Sequence, residues 1–325
     1  MRNTQYHIII SIDYEIFGNG RGNVRRHIIK PAEKLFEIAE EFDIPLTWMF
    51  EVGEYEFFKK YDEIITRRYG YSFYEEIKNQ IKKFYRDGHD IELHIHPQWE
   101  TAEIRDNKII IKNPYLSFSD LEANKISQII GKGVDIIKGL IGKHYNVHAI
   151  RLTNLPWTEA PPHIIPILER YNIYIHSLST SSNIKNKCGY WRYENSNVFE
   201  IPIHSIPTRN IKFSLKGWQA LIYDYLYTRG HKMPSLRKSK EGYDKKWDLC
   251  KMNFSELLKW LEYGIRRYSS CTNNVPLVMI GHTKDFFNEK NLRKFFREVK
   301  KVYQNTVTFS TFKEFSKYLE VERNE

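Results

Sequence analysis

The stretch HDIELHIHPQW, residues 89–99, carries the strongest signal in this chain. Apolar and polar residues alternate through it, as is typical of a β-strand, and Pro97 follows where a strand usually stops. Side chains two apart share one face of a strand, so His94 and His96 point to the same side. Two imidazoles on one face predict a divalent metal site if a carboxylate lies nearby, whereas two histidines packed in a core give the same pattern.

Strand-like and helix-like segments alternate through the rest of the chain. Apolar β-branched runs predict strands, and apolar residues recurring every three or four positions predict helices. The predicted strands are 6–12, 45–52, 89–96, 147–152, 174–179, 275–283 and 306–311. The predicted helices are 30–44, 72–88, 117–142, 161–173, 215–229, 254–268, 289–303 and a terminal helix, with hairpin insertions at 101–114 and 188–204. Seven or so strand–helix units predict an α/β fold in which a parallel sheet forms a β/α barrel.

Composition restricts the class of protein. The 325 residues contain no linker rich in Pro, Gly or Ser, so we expect a single domain over 1–325. The net charge of +10 comes from Lys and Arg interspersed with acidic residues, and no glycine-rich phosphate loop is present, so nucleic acid is not an expected partner. The three cysteines form no C-x-x-C pair, which argues against a disulfide framework and against a thiolate zinc site.

The ends and the most polar segment give further expectations. The chain enters a strand almost at once, without the apolar segment and cleavage site of a signal peptide. No stretch approaches the roughly 18 apolar residues of a membrane span, so a cytoplasmic location is expected. The polar segment 228–250 is expected to be a surface loop or a flap over the site.

Chemically capable residues follow several of the predicted strands. In a parallel β/α barrel the carboxyl ends of the strands meet at one rim, where active sites lie. Asp13 and Glu15 share a face at the end of the first strand, Arg151 ends another, and His282 and Lys284 share a face after a third. Taken singly these could be turn residues or a structural salt bridge. Their recurrence at the same end predicts a metal-dependent site at this rim.

Four motifs in order resemble those of the polysaccharide deacetylase family (NodB homology, carbohydrate esterase family 4-like). They are SIDYEIFG (11–18), GHDIELHIHPQW (88–99), FEIPIH (199–204) and IGHTKDF (280–286), and an Arg-ended strand lies between the second and the third. The resemblance is to a divergent branch that carries D-Y-E and H-x-H-P. It implies a distorted (β/α)7 barrel with the hairpins as insertions, and hydrolysis of an N- or O-acetyl group on a sugar or glycan precursor.

The same resemblance implies a role for each site residue. Asp13 would be the general base, Arg151 the residue that orients it, and His282 the acid that protonates the leaving group. Glu15 and His94 would hold a divalent metal, with zinc the expected ion.

The second histidine of the metal site is the main departure from the family pattern. The family places it four residues after the first, where this chain has Gln98. His96 takes that role if the strand stays extended to Pro97. The chain also has RLTN at 151–154, where small residues are usual, and His176 where an aspartate is usual.

Two other functions remain open on the sequence. One is a catalytically impaired relative that binds a glycan or a protein partner, which Gln98 favours. The other is a hydrolase of a small non-peptide amide on the same barrel. Trp99, Trp157 and Trp191 fall in predicted loops near the rim, where they could stack on sugar rings or pack locally.

Overall fold

A curled, mainly parallel sheet forms the centre of the molecule in a computed structural model that describes residues 4–106, 108–153, 160–181, 188–207, 244–271 and 274–323. The strands in these ranges are β1 (Gln5–Tyr14), β2 (Thr47–Glu51), β3 (Asp90–Ile95), β4 (Ala102–Arg105), β5 (Lys108–Ile111), β6 (Ala149–Leu152), β7 (Ile175–His176), β8 (Trp191–Arg192), β9 (Phe199–Glu200), β10 (Ser205–Pro207), β11 (Asp244–Lys246), β12 (Asn274–His282) and β13 (Val307–Ser310).

The helices cover the outer face of this sheet. They are α1 (Lys30–Glu41), α2 (Val52–Lys60), α3 (Asp62–Tyr69), α4 (Phe73–Arg86), α5 (Ala123–Ile141), α6 (Ile165–Arg170), α7 (Phe254–Arg267), α8 (Glu289–Val302) and α9 (Phe312–Arg323). A 3-10 helix over Pro97–Thr101 follows β3 directly. Among the described residues, none of the helices is both long and apolar enough to cross a membrane.

Seven parallel strands build the barrel in the order β12–β1–β2–β3–β6–β7–β9. β13 pairs with the first half of β1, and β8 runs antiparallel to β9. Ile203 then makes parallel bridges to both Thr180 and Val278, which joins the last strand back to β12. Because this closure rests on isolated bridges rather than on a full strand, the barrel is distorted. The predicted distorted (β/α)7 barrel is confirmed.

Alternation along each strand separates two apolar cores. Ile8, Ile10 and Ile12 of β1 lie in the large cluster between sheet and helices, while Ile9 lies in the barrel interior. The last helix, α9, contributes three side chains to that interior cluster: Phe312, Phe315 and Leu319. α9 also contacts the amino-terminal ends of β1 and β3, so it covers that end of the barrel. The open end is therefore at the carboxyl ends of the strands.

Strand register places the functional side chains at one level of the barrel. Asp13 of β1 is paired with His282 of β12. Glu51 of β2 is paired with His94 of β3, and His94 in turn with Arg151 of β6. Parallel neighbours are about 4.8 Å apart, so these pairings bring the five side chains within mutual reach.

Several predicted boundaries change in the structure. The predicted helix 161–173 shortens to α6, and the predicted strand 174–179 to the two residues of β7. Neither α2 nor α3 was predicted from the sequence, and α2 contains Gly53, a residue that disfavours helices. Gly53 lies in the first turn of α2, where a Cβ atom would come within 3.1 Å of Trp99, so the close approach requires glycine.

The prediction of a surface loop at 228–250 is wrong for residues 244–250. β11 pairs with β10, and Trp247 and Leu249 just after it are fully buried. Residues 208–243, including the predicted helix 215–229, lie outside the described residues, as does Trp157. Residues 244–249 are therefore part of the barrel wall.

The prediction against disulfides is also wrong for one pair. Cys188 and Cys271 form a disulfide across 83 positions of sequence, while Cys250 is a buried free thiol. Spacing could not reveal this pair, because only the return of the chain to β12 brings the two cysteines together.

Candidate metal centre

A cavity of about 340 Å³ opens at the carboxyl ends of the strands. Its walls contain the six residues proposed from the sequence: Asp13, Glu15, His94, His96, Arg151 and His282. Lys246 and Lys284 also line it, together with the apolar side chains of Leu178, Ile203 and Ile280. The candidate site is therefore assembled from β1, β3, β6, β11 and β12 and the residues that directly follow them.

His94 has one ring nitrogen fixed by the backbone and the other directed toward buried carboxylates. Its Nδ1 lies 2.9 Å from the carbonyl oxygen of Arg151, which can only accept, so Nδ1 carries a proton. Its Nε2 lies 3.4 Å from Glu15 Oε2 and 4.0 Å from Asp13 Oδ2, yet it has no hydrogen-bond partner within the described part of the chain. Burial alone lowers the pKa of His94, but the charges of Asp13 and Glu15 raise it to about 9. The pocket around Nε2 thus attracts positive charge.

His96 lies beside two further carboxylates. Its backbone is extended, as the sequence required, and its Nδ1 is 3.0 Å from Glu15 Oε2 and 2.6 Å from Glu51 Oε2. One ligand atom from each of Glu15, Glu51, His94 and His96 lies within 4.8 Å of the other three. Two imidazoles with two carboxylates form a donor set that suits zinc and similar divalent ions. The residues present therefore fit a divalent metal.

Glu51 belongs to this candidate cluster, and sequence reasoning missed it. It was placed inside the predicted strand 45–52 and was not weighed as a rim carboxylate. Its side chain is almost fully buried, and Oε1 accepts a hydrogen bond from the Gly53 amide at 2.9 Å, which fixes the carboxylate at the start of α2. The available signal was a lone charged residue at the carboxyl end of an otherwise apolar strand.

Gln98 lies away from the metal ligands. It belongs to the 3-10 helix that begins at Pro97, and its Nε2 points toward the carbonyl oxygen of Gly18 at 3.5 Å. The described residues that line the cavity do not include it. The helical turn after Pro97 ends the extended face that His94 and His96 share, so a residue at position 98 cannot continue it.

The neighbouring tryptophan packs locally. Trp99 is buried, and its ring contacts Phe57 and Phe58 of α2. Trp191 in β8 is partly exposed. Stacking on a sugar ring is therefore not a role for Trp99.

Asp13 is held by Arg151. The guanidinium forms a salt bridge with Asp13 and donates to Ser11 Oγ and to the Ser177 carbonyl oxygen, each at 2.8 Å. Burial by itself raises the pKa of Asp13, but the positive charges of Arg151 and His94 outweigh it, so that the pKa lies below its usual value. Asp13 is therefore ionised at neutral pH, with one oxygen bound to Arg151 and the other free to face the cavity.

His282 faces the second oxygen of Asp13. Its Nε2 is 3.3 Å from Asp13 Oδ2, and its buried Nδ1 has no hydrogen-bond partner among the described residues. Burial lowers the pKa of His282, which the charge of Asp13 only partly opposes. A histidine with a lowered pKa gives up its proton readily once it has been protonated.

Glu15 and Glu54 are two buried carboxyl groups whose pKa values are shifted in opposite directions. Burial raises the pKa of Glu15, but the contact with Lys284 and the nearby histidines bring it well below the usual value. Burial and the charges of Glu51 and Glu15 raise the pKa of Glu54 well above the usual value. Glu15 is therefore charged and available to a metal, whereas the raised pKa of Glu54 favours its neutral form, and Glu54 accepts the Ile16 amide at 3.0 Å.

Two other histidines serve the scaffold. His176 contacts Glu200, whose other oxygen accepts from the Ser179 hydroxyl at 2.7 Å. The ring of His204 lies 3.0 Å from the carbonyl oxygen of Trp260 and is buried. Neither histidine lines the cavity.

Comparison with solved structures identifies the architecture. A structure described as a polysaccharide deacetylase from Mycobacterium smegmatis matches with a TM-score of 0.56 at 12% identity, over 99% of this chain and 92% of that one. One described as a polysaccharide deacetylase from Pseudomonas aeruginosa PAO1 matches with a TM-score of 0.54 at 9% identity, over 98% and 92%. The chain has the fold of the polysaccharide deacetylases.

The same fold also occurs in a structure with another activity. Puue allantoinase matches with a TM-score of 0.53 at 9% identity, over 98% of this chain and 91% of that one. No protein-family model and no curated protein matches the sequence. The deacetylase fold is thus evident in the structure although the sequences have diverged widely.

Proposed function

We propose that the protein is a metal-dependent deacetylase that hydrolyses an N- or O-acetyl group on a sugar or glycan precursor. One observation carries the proposal. The Nε2 atom of His94, which has no hydrogen-bond partner among the described residues, faces the carboxylates of Glu15 and Asp13. The Asp13–Arg151 pair and His282 lie beside it. A ligand set, an ionised carboxylate and a histidine in one cavity form the constellation that acyl hydrolysis needs.

The metal would be held by Glu15, His94 and His96, with Glu51 as a fourth protein ligand or as the residue that orients His96. Zinc is the expected ion, because a compact set of imidazole and carboxylate ligands suits it. When bound, such an ion polarises the scissile carbonyl and lowers the pKa of water from 15.7 to about 7.

The residues of the chain divide the proton transfers between them. Asp13 takes the proton of the attacking water, because Arg151 keeps it ionised and fixes its orientation. His282 gives a proton to the departing nitrogen or oxygen, since an amine anion is too poor a leaving group. Both groups lie on the same wall, where the pairing of β1 with β12 sets them side by side.

A second candidate is hydrolysis of a small non-peptide amide. It is favoured by the similarity to the allantoinase structure, which is nearly as great as the similarity to the deacetylases. The two candidates differ in their products, because only a deacetylase releases acetate.

Acetate release from zinc-loaded protein tests the proposal. We expect release from at least one N-acetyl or O-acetyl sugar, and a loss of more than about 100-fold in kcat for Asp13→Asn with zinc retained. Glu54→Gln is the matched control, because Glu54 is buried nearby and its raised pKa favours the neutral form. Ammonia or a ring-opened product without acetate would support the small-amide candidate. Zinc binding without turnover of either substrate class would indicate the impaired relative, and failure to bind any divalent metal would refute the enzyme.

A further inference from the structure

Lys284 is a cavity residue to which the proposed proton transfers give no role. It lies in a 3-10 helix, Thr283–Asp285, that directly follows β12. Only 14% of its side chain is exposed. Because burying an ammonium group costs free energy unless the charge is compensated, the contacts of Lys284 indicate what this position contributes.

Two adjacent residues of this helix hold different parts of Glu15. The Thr283 hydroxyl donates to the Glu15 carbonyl oxygen at 3.2 Å and accepts from the Glu15 amide at 3.4 Å. Lys284 Nζ instead lies 2.5 Å from Glu15 Oε1 and donates to the Ile16 carbonyl oxygen at 3.2 Å. Thr283 therefore holds the backbone of Glu15, and Lys284 holds its carboxylate.

The contact with Lys284 makes the two oxygens of Glu15 unequal. Oε1 is engaged by the ammonium group, whereas Oε2 lies 3.4 Å from His94 Nε2 and 3.0 Å from His96 Nδ1. Glu51 is divided in the same way, since a backbone amide donates to its Oε1 and its Oε2 lies 2.6 Å from His96 Nδ1. Each carboxylate of the cluster thus turns one oxygen toward the imidazoles.

The number of oxygens that a carboxylate offers matters in a catalytic metal site. Such a site keeps one position open for water or substrate, and a carboxylate that binds through both oxygens can fill it. The positive charge of Lys284 weakens the attraction between Glu15 and a cation, so the lysine does not serve metal affinity. What it supplies is the orientation of the carboxylate.

We infer that Lys284 is a positioning residue for the metal centre: it holds Oε1 of Glu15, so that Oε2 is the single atom this carboxylate offers to the ion. The inference rests on the proposed function, since it concerns how the proposed metal site keeps a position open for the substrate. Without the ammonium group, Glu15 would be free to turn both oxygens to the ion.

The visible absorption of cobalt(II)-loaded protein tests this without requiring turnover, because that absorption weakens as the number of ligand atoms rises. At saturating cobalt, Lys284→Met should lower the absorption by at least about twofold, through the second oxygen of Glu15. In a Glu15→Gln background the same replacement should leave the absorption unchanged, because an amide nitrogen does not bind the ion. Zinc affinity, measured by chelator competition, should be equal or higher in Lys284→Met, since a repelling charge is removed.

Thr283→Val is the matched control. It removes the contacts to the Glu15 backbone from the same helix and leaves the carboxylate alone, so the cobalt absorption should not change. Circular dichroism checks that each variant is folded. If Lys284→Met does not fold, Lys284→Gln takes its place in the same comparison, with the same expected fall, because its shorter side chain is neutral but polar.

The outcomes separate this inference from the proposed function. Unchanged absorption in Lys284→Met overturns the inference, as does an equal fall in Thr283→Val or a loss of zinc affinity in Lys284→Met, because the lysine would then act only by holding the chain. Acetate release by a protein whose absorption does not depend on Lys284 supports the proposed function while the inference fails. The expected fall in absorption, seen with no release of acetate, supports the inference while the proposed function fails.

Discussion

Replacing Glu51 by Gln is the sharpest test of the metal centre. Gln keeps the size of the side chain and an oxygen that can accept from the Gly53 amide, so the start of α2 is preserved. Only the negative charge next to His96 is removed. The structure provides a matched control three residues further on, because Glu54 is also buried and its raised pKa favours the neutral form.

The size of the effect follows from the packing of the cluster. The four ligand atoms lie within 4.8 Å of one another, so an ion among them would be no farther than about that from the carboxylate. At an effective dielectric constant of about 20, a unit charge and a divalent ion at that separation attract by about 7 kcal/mol. Desolvation cancels most of this, and a loss of about 1.4–3 kcal/mol is expected, or about 10- to 100-fold in affinity.

Zinc affinity is measured by competition with a chromophoric chelator at pH 7.5. Glu51→Gln should bind zinc at least tenfold more weakly than the unaltered protein, and Glu54→Gln within about threefold of it. Thermal unfolding of both variants without metal checks that the fold is retained. Unchanged affinity in Glu51→Gln, or equal losses in both variants, would refute the assignment of Glu51 to the metal centre.

Three further predictions concern residues outside the ligand cluster. Gln98→His should leave zinc affinity within about threefold in the same competition assay, because Gln98 faces the Gly18 carbonyl; a large gain would place position 98 at the metal after all. Burial lowers the pKa of His204 to about 4, so His204 should contribute about 3 kcal/mol to the loss of unfolding free energy between pH 6.5 and pH 4; urea titrations should show a fall smaller by about that amount in His204→Gln, and equal falls would contradict this. The double replacement of Cys188 and Cys271 by Ser should lower the free energy of unfolding in oxidising buffer by about 4 kcal/mol, from the loop closed across 83 positions; equal stability of the unaltered protein with and without reductant would contradict this.

Local pattern was sufficient for the parts of the fold that rest on apolar runs. β1, β3 and β12 lie within or close to their predicted bounds, since runs of six to ten mostly buried residues are typical of core strands. α2 and α3 were missed because each has a short amphipathic pattern, of nine and eight residues, and α2 also contains Gly53. The close approach to Trp99, which explains that glycine, is a tertiary contact.

Local pattern likewise predicted some residues of the candidate site and missed others. The two-residue periodicity of a strand predicted that Asp13 and Glu15 share one face and that His94 and His96 share another. Because the carboxyl ends of parallel barrel strands meet at one rim, both pairs were expected there. Glu51 and Lys246 were not predicted, because each is placed at the cavity by the pairing of its strand with another strand. Glu51 is set by the pairing of β2 with β3, and Lys246 by a strand that returns from a polar stretch.

The sequence by itself determined which residues could carry chemistry and at which end of the barrel they collect, because strand periodicity and chain direction are local properties. Only the tertiary structure decided which carboxylates reach which imidazoles, since that depends on the register between strands far apart in sequence. It made His96 rather than Gln98 the neighbour of Glu15, because the chain turns into a 3-10 helix at Pro97. It also brought Cys188 to Cys271, a contact that exists only once the barrel closes.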